Sequence, residues 1–279
     1  VEQRKMKMAK ERLDVLLVKR NLIETREKAK RFVMAGLVYS DNIRLDKPGM
    51  KVDEHIPLHV KGKLYPYVGR GGLKLEKALD VFFVQIHNKI MIDIGASTGG
   101  FTDCALQRGA KLSYAIDVGY NQLDWKLRND DRVVVMERTN FRYVTKDMLT
   151  HGDPNFAAID VSFISLTLIL PVLKTLLQDN SDIIALIKPQ FETKKELVGK
   201  KGIVRDKKVH ADVLRNVIHF AKQLEFQFFD LTYSPITGGD GNIEFLSHFG
   251  WKKTSQFQER NLDEKIQTVV EESHELLTK

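Results

Sequence analysis

IMIDIGASTGGFTDCALQRGAKLSYAIDVG, residues 90–119, is the stretch on which the reading of the chain turns. An apolar run ends at Asp93, and a glycine-rich turn follows, Gly95-Ala96-Ser97-Thr98-Gly99-Gly100. A helix-like segment then runs to Arg108-Gly109, and a second apolar run ends in Asp117. Strand, tight loop, helix and strand make the nucleoside-binding half of a doubly wound α/β domain. Glycines at such a turn let a ligand lie against bare backbone at a helix N-terminus. A dinucleotide fingerprint would read G-x-G-x-x-G, but here Ser97 holds the second glycine position and the pattern is D-I-G-x-x-x-G-G. Asp117, at the tip of the second strand, is placed to accept hydrogen bonds from ribose hydroxyls. A structural turn that binds nothing is the bland alternative, and the loop together with the strand-end acid favours the nucleoside reading over it.

That D-I-G-x-x-x-G-G spacing resembles the first motif of S-adenosylmethionine-dependent methyltransferases. The resemblance implies that Asp93 and the loop Gly95, Ala96, Ser97, Thr98, Gly99, Gly100 and Phe101 meet the methionine end of the cofactor. Asp117 would take the ribose, and Asn140 and Asp160, each at the end of a later strand, complete the expected cofactor set.

The 279 residues are 43% hydrophobic and 29% charged, the profile of a globular protein with one large domain or a large and a small one. Cys104 is the one cysteine. It leaves no internal disulfide, points to a reducing cytoplasm, and reads as a small buried filler on the helix after the glycine loop. The uncharged stretch Val161–Leu173 contains Pro171 and is too short to span a bilayer. The basic start VEQRKMKMAKER has no apolar core of signal-peptide type behind it. Charge is unevenly spread. Residues 1–77 hold 19 Lys/Arg and 10 Asp/Glu, a net of +9, whereas the other 202 hold 25 and 27, a net of −2. A basic module ahead of a near-neutral α/β domain suggests that the first holds a polyanion and the second does chemistry.

Residues 10–36 read as two helices, the second capped by Thr25 and ended by Gly36. A short strand is expected at 37–39, a turn at Asp41-Asn42, another turn at Lys47-Pro48-Gly49, and a strand over 52–60. The words R-L-D at 12–14, T-R-E-x-A at 25–29, A-G-L-V at 35–38 and K-P-G at 47–49 resemble the alpha-L RNA-binding domain. The resemblance implies that a basic helix face, here Arg12, Arg26, Lys30 and Arg31, meets folded RNA. The acid in the hairpin turn V-Y-S-D-N-I-R departs from the family's usual turn. The expected organisation is an RNA-binding domain over 8–62, a linker over 63–72, an α/β domain over 73–252 and a C-terminal helical segment over 253–279.

Beyond Asp117 the α/β alternation continues, with strands expected at 132–136, 156–160, 182–187, 227–233 and 242–249, and helices over 168–176, 208–223 and 260–278. Residues 193–207 are polar and lysine-rich and read as a loop. In a doubly wound sheet, ligands sit outside the carboxyl ends of the strands. Asp160 (FAAID), Lys188 (ALIKP) and Glu244 (GNIEF) fall at or beside such positions, and Lys74 lies on the helix before the first strand. Singly, each is more often a solvated or capping residue. Lys188 is the hardest to dismiss, because it ends the apolar run Ile183–Ile187 directly before Pro189.

In this order the four resemble the Lys-Asp-Lys-Glu tetrad of FtsJ-type ribose 2′-O-methyltransferases. With R-G-G-x-K-L, D-V-S-F-I-S, K-P-Q-F-E and G-I-V-R-D around them, residues 10–250 resemble the TlyA family of ribosomal RNA methyltransferases, often labelled haemolysin A. The resemblance implies a Rossmann-like α/β methyltransferase domain behind the RNA-binding domain. It implies S-adenosylmethionine as cofactor, ribosomal RNA or ribosomal subunits as partner, cytidines as target and a cytoplasmic setting. No metal is expected, because a sulfonium methyl is already electrophilic. Lys188 would orient and stabilise the attacking oxygen, Asp160 and Glu244 would both fix Lys188, and Lys74 would steady the nucleotide or the acidic pair. Two other readings stand beside this one: a non-catalytic RNA-binding or assembly factor, and a membrane-active haemolysin, against which the absence of a spanning run speaks.

Overall fold

The computed structural model describes residues 10–61, 66–239, 241–254 and 261–277, and the chain divides into two compact units, Val1–Gly69 and Arg70–Lys279. The expected domain start at residues 8–9, residues 63–65 of the expected linker, Asp240 and the stretch 255–260 lie outside the described residues.

In the first unit the order is β1 (Lys10–Arg12), α1 (Leu13–Lys19), α2 (Arg26–Met34), β2 (Val38–Ser40), β3 (Ile43–Arg44), β4 (Lys51–Asp53) and β5 (His59–Val60). Leu13, Leu16 and Leu17 lie on one face of α1 and bury against Ala29 and Val33 of α2, the i, i+3, i+4 pattern of a core-facing helix. Thr25 caps α2, its hydroxyl accepting from the Lys28 amide at 3.2 Å, a contact worth about 1 kcal/mol. Gly36 closes α2 at φ +68°. The strand expected over 52–60 is instead two short ones, β4 and β5. Asp53 Oδ1 accepts the His55 amide at 2.8 Å, a local turn that draws the backbone out of the ladder. β1 pairs antiparallel with β4, Glu11 opposite Val52, so it forms only once a segment some forty residues away has folded back.

The second unit begins with α3 (Gly71–Val81). Gly71 and Gly72 are therefore already helical, and the linker expected to reach 72 ends earlier. There follow β6 (Ile90–Ile94), α4 (Gly100–Gln107), β7 (Leu112–Ile116), α5 (Trp125–Arg128), β8 (Val133–Met136), β9 (Phe156–Ile159), α6 (Leu170–Leu176), β10 (Ser181–Ile187), α7 (Pro189–Glu192), α8 (Lys207–Gln223), β11 (Gln227–Tyr233), β12 (Phe245–Trp251) and α9 (Leu262–Leu277). Seven strands form one sheet in the order β11-β12-β10-β9-β6-β7-β8. β8, β7, β6, β9 and β10 run parallel, and β12 runs antiparallel between β10 and β11. Phe156–Ile159 and Ser181–Ile187 are buried at every position, as strands covered on both faces must be.

The chain leaves β6 toward β7 and β8, then returns to the other side of β6 with β9 and β10. The reversal lies between β6 and β9, where a doubly wound sheet opens its ligand crevice. Two further expectations change. β12 starts at Phe245 rather than 242, because the Asn242 side chain is engaged with the 202–204 backbone, which leaves Glu244 in the loop ahead of the strand. The C-terminal helix is no separate segment, since Ile266, Val269 and Val270 of α9 enter the same core as β12.

Candidate active site

The four charged residues expected to act together do converge. Lys74 projects from the first turn of α3, Asp160 and Lys188 follow β9 and β10 directly, and Glu244 precedes β12. Lys188 Nζ pairs with Asp160 Oδ1 at 2.6 Å and donates to Ser162 Oγ at 3.0 Å. Lys74 Nζ pairs with Glu244 Oε2 at 2.6 Å and lies 3.7 Å from Asp160 Oδ2. Asp160 thus bridges the two lysines. Glu244 holds Lys74 and not Lys188, which corrects the expectation of two carboxylates on Lys188.

Lys74, Lys188 and Glu244 are 8%, 9% and 2% exposed, so charges this deep persist only because each has an opposite partner. Burial works against the Lys74 ammonium, but Asp160 and Glu244 outweigh it and raise its pKa above the usual lysine value. Burial likewise opposes the Asp160 carboxylate, and Lys74 and Lys188 overcome it, holding its pKa below the usual range. The arrangement is two cations and two anions.

The tetrad lines a cavity of about 340 Å³ whose other wall is the glycine-rich loop: Gly95, Ala96, Ser97, Thr98, Gly100 and Phe101. A second cavity of about 410 Å³ lies against Ile116, Asp117, Asn140 and Phe141. Gly95, Ser97, Asp160, Ser162 and Phe163 line both, so the two spaces meet beside Asp160. Gly95 has φ +88°, and a Cβ there would overlap the Asp160 carbonyl; glycine is required both for the turn and for the close passage of β6 against β9.

Asp117 accepts the Ser97 amide with Oδ2 and the Gly119 amide with Oδ1, both at 2.7 Å. Each oxygen keeps lone pairs toward the second cavity, where ribose hydroxyls would find an acceptor. Asn140 accepts the Arg142 amide at 3.1 Å. An apolar slot edged by a carboxylate fits an adenosine, and the adjoining polar cavity fits a methionine end. These residues could therefore hold S-adenosylmethionine.

Two loop assignments change. Asp93 is fully buried; its Oδ2 accepts the Thr102 amide at 3.0 Å and the Thr102 hydroxyl at 2.7 Å, and its Oδ1 has no partner. Asp93 lines neither cavity. It ties β6 to α4, and burial pushes its pKa up to about 7. Gly99, at φ +92°, faces Leu123 and Leu127, so it serves the packing behind the loop rather than the cavity. Ser162 and Phe163 join the site without being expected there, although both stand in the D-V-S-F-I-S phrase. Phe163 is 90% exposed, has φ +62°, and lies 4.9 Å from the Phe191 ring.

In the first unit the expected RNA face is partly an internal ion cluster. Arg12 donates Nε and Nη2 to Asp14, and Arg26 donates Nε to the same carboxylate, all at 3.0 Å. Asp14 is fully buried, and its bonds to Arg12, ahead of the opposing burial, lower its pKa to about 2. Lys30 pairs with Glu27 at 2.7 Å, and Arg31 donates to the Tyr67 carbonyl at 3.1 Å. Arg12 lies on β1, not on a helix. Among the described residues no helix is long and apolar enough to cross a membrane, and no cluster of side chains has the make-up of a metal site.

The FtsJ-like methyltransferase family matches residues 67–251, and the S4 domain matches residues 11–55. A Bacillus subtilis protein provisionally named an rRNA methyltransferase, YqxC, is 65% identical over 272 residues, 98% of this chain and 97% of that protein. The 16S/23S rRNA (cytidine-2′-O)-methyltransferase TlyA of Mycobacterium tuberculosis is 37% identical over 262 residues, 94% of this chain and 97% of that protein. A solved structure from Streptococcus thermophilus, provisionally named a hemolysin, superposes with a TM-score of 0.76 at 53% identity, covering 97% of this chain and 98% of that one.

Proposed function

We propose that this chain, which belongs to the FtsJ-like methyltransferase family and carries an S4 domain ahead of its catalytic unit, methylates a ribose 2′-hydroxyl of ribosomal RNA, with a cytidine as target. The observation that carries the reading is the buried tetrad, in which Asp160 sits between Lys188 and Lys74 at 2.6 and 3.7 Å, where the two cavities meet.

When bound, S-adenosylmethionine supplies an electrophilic methyl group. The task left to the protein is to align a poor nucleophile with it. Lys188 does this from the end of β10. Its ammonium, held by Asp160 and Ser162, donates to the 2′-oxygen and stabilises the charge that develops as the oxygen takes the methyl group and its proton passes to water, the demethylated thioether being the leaving group. An ion-paired lysine is a donor, so electrostatic stabilisation takes precedence over base catalysis. Lys74 and Glu244 act one step back, keeping Asp160 ionised and in place. Asp117 and the Gly95–Phe101 loop receive the nucleoside and methionine parts of the cofactor. Exposed at the mouth shared by both cavities, Phe163 offers a flat apolar face on which a base can stack. A ribosomal RNA substrate sets this work in the cytoplasm.

The test is transfer of tritiated methyl from S-adenosylmethionine to purified ribosomal subunits, followed by mapping of 2′-O-methyl positions. Label incorporated at a ribose 2′-oxygen is the expected result. Absence of transfer to either subunit, with the cofactor bound, would leave the chain a non-catalytic RNA-binding factor.

A further inference from the structure

The stretch TKKELVGKKGIVRDKK, residues 193–208, holds seven cations and two acids. Its position differs from that of the basic S4 unit, because it begins directly after α7, whose Phe191 lines the tetrad cavity. Lys194, Lys195, Lys200, Lys201, Arg205, Lys207 and Lys208 are all exposed, and none has an ion-pair partner among the described residues. Several other cations of this unit are paired. Lys126, Arg128, Lys174 and Lys253 each lie 2.6–3.0 Å from a carboxylate. Seven unpaired like charges along one short stretch repel one another, and a polyanion relieves that repulsion.

The stretch is also held in place. Gly199 N donates to the Ile203 carbonyl at 3.0 Å, and Gly202 N to the Gly199 carbonyl at 3.1 Å. Asn242 then clamps it from outside: Oδ1 accepts the Val204 amide at 3.0 Å, and Nδ2 donates to the Gly202 carbonyl at 2.9 Å. Val204 is buried. Asn242 stands two residues before Glu244, so the loop that delivers a tetrad carboxylate also fixes the basic stretch.

The structure assigns residues 194–208 as a phosphate-binding clamp that grips the RNA backbone beside the nucleotide entering the tetrad cavity. An anionic membrane surface is the competing polyanion. It needs an apolar face beneath the charges, and Leu197 is the only large apolar residue of the stretch that is strongly exposed. The proposal rests on RNA being the methyl acceptor, and the site's chemistry is tested apart from it.

The experiment compares the full chain with its K194Q/K195Q/K200Q/K201Q variant. Binding of a labelled, transcribed fragment of large-subunit ribosomal RNA is followed from 50 to 200 mM KCl. Removing four phosphate contacts should make the slope of log K against log salt shallower by about 3, since each contact contributes about 0.7 to 0.9. Calorimetric affinity for S-adenosylmethionine should be unchanged, which also shows that the variant is folded. The double variants K194Q/K195Q and K200Q/K201Q should each give about half the change, and they decide the matter if the quadruple variant fails to fold. An unaltered slope with intact cofactor binding overturns the clamp. So does a variant that keeps its RNA slope but loses wild-type binding to vesicles of phosphatidylserine and phosphatidylcholine. Tritium transfer to ribosomal subunits is scored in parallel. No transfer by the wild-type protein together with a shallower slope in the variant would sink the methyl-transfer reading and uphold the clamp.

Discussion

Lys188 and Glu244 have different jobs, and the geometry separates them at the level of single residues. Lys188 faces the cavity with Asp160 and Ser162 behind it, so Lys188→Ala should keep the fold and S-adenosylmethionine affinity while losing turnover by two orders of magnitude or more, on the order of a lost electrostatic donor. Lys188→Arg should fail as well, because a planar fork cannot replace a compact ammonium aimed at one oxygen. Methyl transfer at saturating cofactor checks both, and near-normal turnover in Lys188→Ala would remove it from the chemistry. Glu244 is a partner of Lys74, both deeply buried. Glu244→Ala should destabilise the protein by about 3 kcal/mol, because it leaves the buried Lys74 ammonium with only the more distant Asp160, at 3.7 Å, to offset its burial. The double variant K74M/E244L should return to within about 1 kcal/mol of wild type in urea denaturation, since apolar replacements of a buried pair are tolerated, yet stay inactive with Asp160 held by Lys188 alone. If the double variant is as unstable as the single one, the pair is not what makes Glu244 costly to remove.

At the scale of elements, α8 and α9 are joined by two histidines. His210, fully buried, has Nδ1 at 3.0 Å from His274 Nε2 and Nε2 at 3.2 Å from the Val204 carbonyl. A carbonyl only accepts, so His210 carries its proton on Nε2, and His274 Nε2 donates to the bare Nδ1. Burial first, then His274, lowers the His210 pKa to about 4. The folded state therefore binds fewer protons than the unfolded chain between about 4 and the usual histidine value of 6.5. The buried neutral imidazole contributes most above 6.5, and about 3 kcal/mol of stability is lost as pH falls through that window. Asp93 works the other way. Its pKa, raised to about 7, adds stability as pH falls over an overlapping range, so the raw stability curve partly conceals both. The expected signature is a difference: His210→Gln, which can still donate to Val204, should show a stability gap from wild type that shrinks between pH 7 and pH 4.5 in urea melts. A gap that does not change with pH would mean the histidine pair carries no such linkage.

For the whole molecule, the cofactor cavities belong entirely to the Arg70–Lys279 unit. A ligand at one hundred times its Kd adds about 2.7 kcal/mol to the unit that binds it. For about 200 residues that corresponds to an upward shift in Tm of about 5–10 °C. S-adenosylmethionine should therefore raise the melting of this unit in the full chain. Asp117→Ala should abolish most of the shift, by removing the ribose acceptor and loosening Ser97 and Gly119 together. A full shift in the variant would take Asp117 out of the binding site. Charge, too, reads differently at this scale: a net of −2 beyond residue 77 averages away the seven cations of 193–208, which the sequence shows only as a lysine-rich loop and the structure shows to lack ion-pair partners among the described residues.

What the sequence determined by itself is whatever is written locally and repeats with a short period. The apolar runs ending in Asp93, Asp117, Asp160 and Lys188, the glycine loop, and the Thr25 cap were legible because strand, turn and cap each depend on residues within a few positions. The parallel sheet and the four tetrad residues followed from these and from the family resemblance. Tertiary structure alone decided which partner each charge took. Glu244 chose Lys74 over Lys188, Asp93 turned inward to Thr102, and Gly99 turned toward Leu127. β1 and β4 exist only as each other's partner, Asn242 left the last strand for the 202–204 backbone, and α9 joined the core. A buried charge or polar atom goes to whatever opposite group the folded chain brings within about 3 Å, and no spacing along the sequence encodes that distance.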